Sequence, residues 1–230
     1  QKSNYDESAI IHLEDMEHLR LRPTMYIGKL GNGSSHDDGI YVLIKEVIDN
    51  AIDEFTMGYG KTIEVTVDFS GKKVTIRDYG RGIPFGSLVT AVSRLNTGGK
   101  YDNKVFQKSI GLNGVGTKAV NALSSHFRIQ SVRDGQTKIA VFTEGKLIEE
   151  SDIQPSSEEN GTMVEFIPDA KCFGDYHFIN DYIEKSIWNY AYLNHGLTLR
   201  YNGQRYYSKN GLVDLLENNM EGERLYPIVH

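Results

Sequence analysis

The sequence predicts an α+β fold in which a mixed, mostly antiparallel sheet is covered on one face by helices. Several segments alternate apolar and polar residues, which is typical of half-buried strands, and two longer segments have the apolar periodicity of helices. The strands and helices do not alternate regularly along the chain, so repeated βαβ units are not indicated. A chain of 230 residues is long enough for one large domain.

Each element follows from local signals. Pro23 ends the first helix, because the residue before a proline is pushed out of helical space. Ser70 and Gly71 form a hairpin turn between two alternating segments. Helices are predicted over residues 13–21, 40–57, 84–95, 117–123 and 176–194. Strands are predicted over residues 63–69, 73–77, 127–133, 136–143, 162–167, 198–201 and 206–207.

Composition excludes several classes of protein. The formal net charge is −6, so the chain does not present the concentrated basic surface of a duplex-binding module. Cys172 is the single cysteine, which excludes an internal disulfide and fits a reducing compartment. The sequence shows no signal peptide and no apolar run of the roughly 20 residues that cross a bilayer. A cytoplasmic protein without membrane contact is expected.

The helix predicted over residues 40–57 carries a narrow polar stripe. Glu46, Asp49, Asn50 and Asp53 fall at positions i, i+3, i+4 and i+7, and the rest of the helix is largely apolar. Buried carboxylates are costly unless they are paired, hydrated or bound to a metal. The stripe indicates either a functional site or a solvated edge of the sheet.

A carboxylate follows the strand predicted over residues 73–77. Asp78 precedes Gly80 and Gly82, and these glycines let another group approach closely. Such a carboxylate can accept a hydrogen bond from an exocyclic amine. An ordinary turn containing an aspartate is the alternative.

A long glycine-rich segment, Thr97–Gly116, leads into the helix predicted over residues 117–123. It matches neither Gly-x-Gly-x-x-Gly nor the P-loop, since Thr117 and Lys118 stand in the reverse of the P-loop order. Free backbone N–H groups at a helix start nevertheless favour an anion. Lys100 is a candidate charge for a terminal phosphate, although a flexible connector with an ordinary lysine is the alternative.

Taken in this order and at these spacings, the motifs resemble the Bergerat ATP-binding fold of type II topoisomerases, heat-shock chaperones, histidine kinases and mismatch-repair ATPases. The similarity is strongest to the ATPase domain of the B-type subunits of bacterial type IIA topoisomerases, and it covers nearly the whole chain. The segments that carry it are residues 22–28, 46–54, 78–84, 97–100, 111–116 and 161–164.

The resemblance implies a role for each motif residue. Glu46 is the general base for the water that attacks the terminal phosphate, and Asn50 binds Mg²⁺. Asp78 accepts from the adenine amino group, and Thr162 supports it through a water. Tyr5 reaches the nucleotide of a second copy, so that dimerisation depends on ATP. The other residues that it assigns to nucleotide binding are Gly80, Ile83, Gly98, Gly99, Lys100, Gly111, Leu112, Asn113, Gly114, Val115 and Gly116.

The resemblance also implies partners and boundaries. Arg81, Pro84 and Arg133 line an outer mouth where aminocoumarin inhibitors bind. The full-length protein binds DNA and a DNA-cleaving A-type subunit. Residues 1–24 form an arm and a short helix, residues 25–220 the ATP-binding domain, and residues 221–230 the start of a linker to a transducer domain. Without that domain, weak hydrolysis and a monomeric state are expected.

Three positions depart from the family pattern. Asn113 stands at a usual histidine, Phe106 at a tyrosine that touches adenine, and Val42 at a histidine one turn before the base. Asn113 and the compact 83–87 segment favour the topoisomerase IV subfamily over gyrase.

Other functional classes remain as alternatives. A signalling kinase would need a phosphoacceptor helix hairpin upstream, and a protein-binding chaperone clamp would lack the 22–28 segment. A mismatch-repair ATPase is a further alternative within the fold. Glu46 argues against a non-catalytic nucleotide sensor.

Overall fold

The computed structural model describes residues 16–94 and 115–219. Helices α1 to α8 comprise residues 16–21, Thr24–Ile27, Gly39–Thr56, Leu88–Ser93, Gly116–Ala122, Ala170–Phe173, Asn180–Leu193 and Leu212–Asn219. Strands β1 to β9 comprise Thr62–Val67, Val74–Asp78, Ser124–Arg133, Gln136–Thr143, Lys146–Glu150, Gln154–Pro155, Gly161–Pro168, Thr198–Tyr201 and Gln204–Tyr206.

Within the described residues, the strands form one nine-stranded sheet. Eight strands follow the order β5-β4-β3-β7-β2-β1-β8-β9, and β6 pairs with β4. Strands β1 and β8 run parallel, and the other described pairs are antiparallel. The mixed, mostly antiparallel sheet predicted from the sequence is therefore confirmed.

The sheet has an apolar face toward the helices. Ile76 of β2 pairs with Val164 of β7, which pairs with Ile129 of β3, and all three line a cavity together with Val47 and Ala51 of α3. Helix α3 also contacts β1, β2 and β7, and α5 contacts β3, β4 and β7. Burial of this apolar surface is the main source of stability for such a layered fold.

Most predicted elements are confirmed within the described residues, with boundaries that differ by a few positions. Helix α3 begins and ends one residue earlier than expected. The helix predicted over residues 84–95 is a 3₁₀ turn at Phe85–Ser87 followed by α4. Residues 1–15, 95–114 and 220–230 lie outside the described residues, so the predictions that fall there stay untested.

One helix starts later than its sequence pattern suggests. The pattern predicts a helix over residues 176–194, but α7 begins at Asn180. Ile179 has extended backbone angles, and its N–H donates to the Tyr41 hydroxyl at 2.9 Å. The ring of Phe178 packs edge-on against Tyr41. Contacts with α3 therefore hold this segment extended.

Several short elements were not predicted from the sequence: α2, α6, α8, β5 and β6. Strand β5 is exposed at every position, so it has no buried residues to produce a period of two. It forms by pairing with the edge of β4. Strand β6 has two residues and α2 and α6 have four each, too few to produce a recognisable period.

The core can be tested with two phenylalanines. Phe166 is fully buried in β7, whereas Phe69 is fully exposed in the turn after β1. We expect Phe166→Ala to lower the free energy of unfolding by about 3–5 kcal/mol, because it removes buried surface and leaves a cavity. Phe69→Ala is the matched control and should change it by less than about 0.5 kcal/mol. Chemical denaturation measures both, and equal effects would contradict the described core.

Candidate functional site

A cavity of about 300 Å³ lies between α3, the start of α5 and the centre of the sheet. Its lining combines apolar side chains with a small number of charged and polar groups, the usual composition of a small-molecule site. The lining residues are Val47, Asn50, Ala51, Glu54, Ile76, Asp78, Arg81, Gly82, Ile83, Pro84, Ala91, Val92, Thr117, Ile129, Arg133, Thr162 and Val164.

Asp78, at the end of β2, is the most deeply buried acid of this cavity, with 8% of its surface exposed. Its Oδ1 accepts backbone N–H bonds from Gly80 at 2.9 Å and from Thr162 at 3.1 Å. The hydrogen bonds found to this carboxylate within the described residues all end on Oδ1. Oδ2 is therefore available to accept a bond from a donor in the cavity.

Gly161 brings the start of β7 against Asp78. Its φ is +145°, and a Cβ at this position would collide with the Asp78 carbonyl oxygen. A residue with a side chain would push the strand away and weaken the bond from the Thr162 N–H to Asp78. The Gly161-Thr162 dipeptide thus sets the distance between the carboxylate and its donor.

Burial raises the pKa of Asp78 to about 6, although the N–H groups of Gly80 and Thr162 act in the opposite direction. The folded pKa is above the ordinary value of 3.8, so folding favours the protonated form. The free energy of unfolding of the empty domain consequently falls as the pH rises from about 4 to about 6. At neutral pH the ionised Asp78 is therefore destabilised by its burial, and the two N–H bonds offset only part of that cost.

An arginine–glutamate pair forms one wall. Arg81 donates through Nη2 to Glu54 Oε1 at 2.8 Å and through Nε to Oε2 at 3.1 Å, and its backbone N–H also reaches Oε2. Burial alone raises the pKa of Glu54, but the hydrogen bonds from Arg81 outweigh it and the pKa is lowered. The guanidinium lies 4.3 Å from the centre of the Tyr59 ring, a cation–π contact. These contacts hold Arg81 in one orientation.

The segment after Arg81 is fastened to β3. Arg133 Nη1 donates to the Gly82 carbonyl at 2.9 Å, and Ser131 Oγ donates to the Ile83 carbonyl at 2.7 Å. These bonds fix one rim of the cavity. The rim consists of Arg81, Gly82, Ile83, Pro84 and Arg133.

Helix α3 divides its polar residues between two sides. Asn50 lines the cavity and donates through Nδ2 to the Thr117 hydroxyl of α5. Asp49 faces α7, where it accepts from the Tyr190 hydroxyl at 2.9 Å and pairs with Lys45. The face of α3 in the cavity is Val47, Asn50, Ala51 and Glu54. The predicted stripe of residues 46, 49, 50 and 53 therefore contributes only Asn50 to the lining.

Glu46 lies beside the start of α5. A Cβ on Gly116 would collide with Glu46 Oε2, so the carboxylate sits directly against the backbone at the end of the glycine-rich segment. Burial raises the pKa of Glu46, against the opposing effect of Lys45. Among the described residues, no hydrogen bond or ion pair engages this carboxylate, so it is available to a water or ligand.

Val42 stands one turn before Glu46, at the position where the resemblance described above implies a histidine. Val42 lines a second cavity, of about 350 Å³, between α3 and α7. On that side of α3, Asp49 accepts from Lys45 and from the Tyr190 hydroxyl.

The structure brings many of the predicted site residues together. Those that line the cavity are Asn50, Asp78, Arg81, Ile83, Pro84, Arg133 and Thr162. Those described next to it without lining it are Glu46, Gly80, Val115 and Gly116. Those outside the described residues are Tyr5, Gly98, Gly99, Lys100, Gly111, Leu112, Asn113 and Gly114.

Other lining residues were not predicted from the sequence. Val47, Ala51 and Glu54 share the helical face of Asn50, so centring the period on Asn50 instead of Glu46 would have found them. Ile76, Ile129 and Val164 come together through strand pairing, which no local signal reveals. Thr117 stood out in the sequence only as a departure from the P-loop pattern.

Residues 16–94 and 115–219 contain neither a cluster of metal-binding side chains nor a membrane-spanning helix. No group of three or more histidine, cysteine, aspartate and glutamate side chains is arranged to hold a metal ion there. No helix in these ranges has the length and apolarity needed to cross a membrane.

Comparison with known proteins gives close relatives. The chain is 54% identical over 228 residues to the B-type subunit of DNA topoisomerase 4 from Borreliella burgdorferi, covering 99% of this chain and 38% of that protein. It is 33% identical to the B-type subunit of DNA gyrase from Helicobacter pylori (strain J99), covering 98% of this chain and 31% of that protein. The chain thus spans about a third of the length of these relatives.

The fold also has a solved counterpart. The crystal structure of the 43K ATPase domain of Thermus thermophilus gyrase B, in complex with an aminocoumarin, matches with a TM-score of 0.74 and 32% identity, over 95% of this chain and 58% of that one. The profile of the family described as "Histidine kinase-, DNA gyrase B-, and HSP90-like ATPase" matches residues 35–171. The chain belongs to this ATPase family.

Proposed function

We propose that this chain is the ATP-binding and ATP-hydrolysing domain of a B-type subunit of a bacterial type IIA DNA topoisomerase. The observation that carries the proposal is Asp78, a buried carboxylate with one unengaged oxygen at the edge of an apolar cavity. The 54% identity to the topoisomerase 4 subunit of Borreliella burgdorferi favours topoisomerase IV as the parent enzyme.

Adenine fits the chemistry of the cavity. Its flat ring would pack against Ile76, Ile129 and Val164, and its exocyclic amine would donate to Asp78 Oδ2. A buried acceptor aimed at one donor gives strong discrimination, because a base without that donor leaves the carboxylate unpaired. Thr162, whose N–H already supports Asp78, would complete the recognition through a water.

Asn50 fits a role in binding the Mg²⁺ of the nucleotide. Its Nδ2 is engaged by Thr117, which leaves Oδ1, and Mg²⁺ is typically held by one or two protein oxygens together with waters and phosphates. When bound, Mg²⁺ would neutralise charge on the phosphate oxygens.

Glu46 fits the role of general base. Its carboxylate lies against Gly116 at the start of α5, next to the cavity residue Thr117. Burial raises its pKa, which makes the carboxylate a stronger acceptor for the proton of an attacking water. Gly98, Gly99, Lys100 and residues 111–116 would enclose the triphosphate.

The whole protein would use this site to drive a DNA clamp. Binding of ATP would join two copies, with Tyr5 of each arm reaching the other copy's nucleotide, and a DNA-cleaving A-type subunit would complete the heterotetramer. A DNA substrate implies a cytoplasmic enzyme. Arg81, Pro84 and Arg133 form the rim that we propose for aminocoumarin binding, since the similar gyrase B domain was solved with such a compound.

Nucleotide binding tests the proposal directly. We expect the chain to bind a non-hydrolysable ATP analogue with Mg²⁺, and Asp78→Asn to weaken this binding roughly 10- to 100-fold, since a hydrogen bond to a charged group is worth about 1.5–3 kcal/mol. Isothermal titration calorimetry measures both. Asp175→Asn, an exposed aspartate outside the cavity, is the matched control. No binding by the wild type, or equal binding by Asp78→Asn, would contradict the proposal.

The base can be tested in the full-length protein. Glu46→Gln keeps the shape of the side chain but removes its ability to take a proton. We expect ATP turnover to fall about 100-fold or more, as is typical for loss of a general base. The exposed Glu149 gives the control, Glu149→Gln, which should turn over like the wild type. A Glu46→Gln protein that keeps nearly normal turnover would exclude Glu46 as the base.

A further inference from the structure

One side-chain contact joins the two helices on either side of the cavity. Asn50 of α3 donates through Nδ2 to the hydroxyl oxygen of Thr117 in α5, and both residues line the cavity. They are 67 positions apart in the sequence, so the contact exists only in the folded site. The sequence gives no local signal that Asn50 and Thr117 are in contact.

The direction of this hydrogen bond matters chemically. A carboxamide has a donor nitrogen and an acceptor oxygen, and rotation of its terminal torsion by about 180° exchanges them. The Thr117 hydroxyl could accept from Nδ2 or donate to Oδ1, and in the folded site it accepts from Nδ2. In that orientation Oδ1 is the atom left for a cation, whereas the rotated amide would present its N–H₂ group to the cation and repel it.

We propose that Thr117 is a positioning residue for Asn50, and that its hydroxyl holds the amide in the arrangement in which Oδ1 is presented to the nucleotide's Mg²⁺. This inference rests on the proposed function, because it needs a Mg²⁺–nucleotide complex in the cavity. Thr117 acts through Asn50 and does not itself contact the metal.

The first turn of α5 supports this role. Gly116 lacks a side chain, and so leaves room for the Glu46 carboxylate, while the next residue, Thr117, reaches Asn50 on the same helix α3. Two consecutive residues of α5 therefore lie against the proposed base and the proposed metal ligand. A shift of α5 would change both at once.

The test distinguishes the effect of the Thr117 hydroxyl from that of the side chain's shape. Thr117→Val removes the acceptor at nearly constant volume, and Thr117→Ser keeps the hydroxyl but removes the methyl group. For each variant of the 230-residue chain, isothermal titration calorimetry gives the affinity for a non-hydrolysable ATP analogue with Mg²⁺ and with EDTA. The ratio of the two affinities is the readout, and thermal unfolding checks that each variant folds.

We expect Thr117→Val to lower this ratio about tenfold, as is typical when the partner of a metal ligand is removed. Thr117→Ser should restore the wild-type ratio, and Asn50→Ala should show the largest loss. A wild-type ratio in Thr117→Val, or equal losses in the valine and serine variants, would overturn the positioning role while leaving nucleotide binding intact. A wild-type chain that binds no nucleotide would overturn the proposed function and this inference with it.

Discussion

The burial of one carboxylate organises the candidate site. Asp78 is held at the end of a central strand, where burial raises its pKa to about 6 and two backbone N–H groups offset only part of that effect. A carboxylate in this state lowers the stability of the empty fold at neutral pH. A ligand that donates to Oδ2 would remove this cost, so the feature that weakens the empty domain is the one that would give binding its selectivity.

The surrounding structure keeps that carboxylate in place. Gly161 allows β7 to approach Asp78 closely enough for the Thr162 N–H to reach Oδ1. The rim is held by the bidentate Arg81–Glu54 pair and by the bond from Arg133 to the Gly82 carbonyl. Polar groups with fixed partners lose little freedom when a ligand binds, which favours affinity.

The elements and the chemistry that depend on local pattern could be predicted from the sequence. The sequence predicted the long helix α3, the turn after Asp78 and the alternating segments that form most of the strands. The face of α3 that meets the cavity was not predicted, because the helical period was centred on Glu46; the same period centred on Asn50 contains Val47, Ala51 and Glu54. Contacts such as Asn50 with Thr117 depend on helix packing, and Ile129 with Val164 on strand pairing, so neither has a local signal.

The most direct test of the account is the choice between adenine and a 6-oxo purine. Asn in place of Asp78 can keep Oδ1 for the Gly80 and Thr162 N–H groups and present Nδ2 where Oδ2 stands. The account predicts that the wild-type chain binds an ATP analogue at least about tenfold more tightly than the matching inosine nucleotide, and that Asp78→Asn reverses this preference. Competition calorimetry measures both ratios. The same ratio in both proteins would show that Asp78 does not read the base.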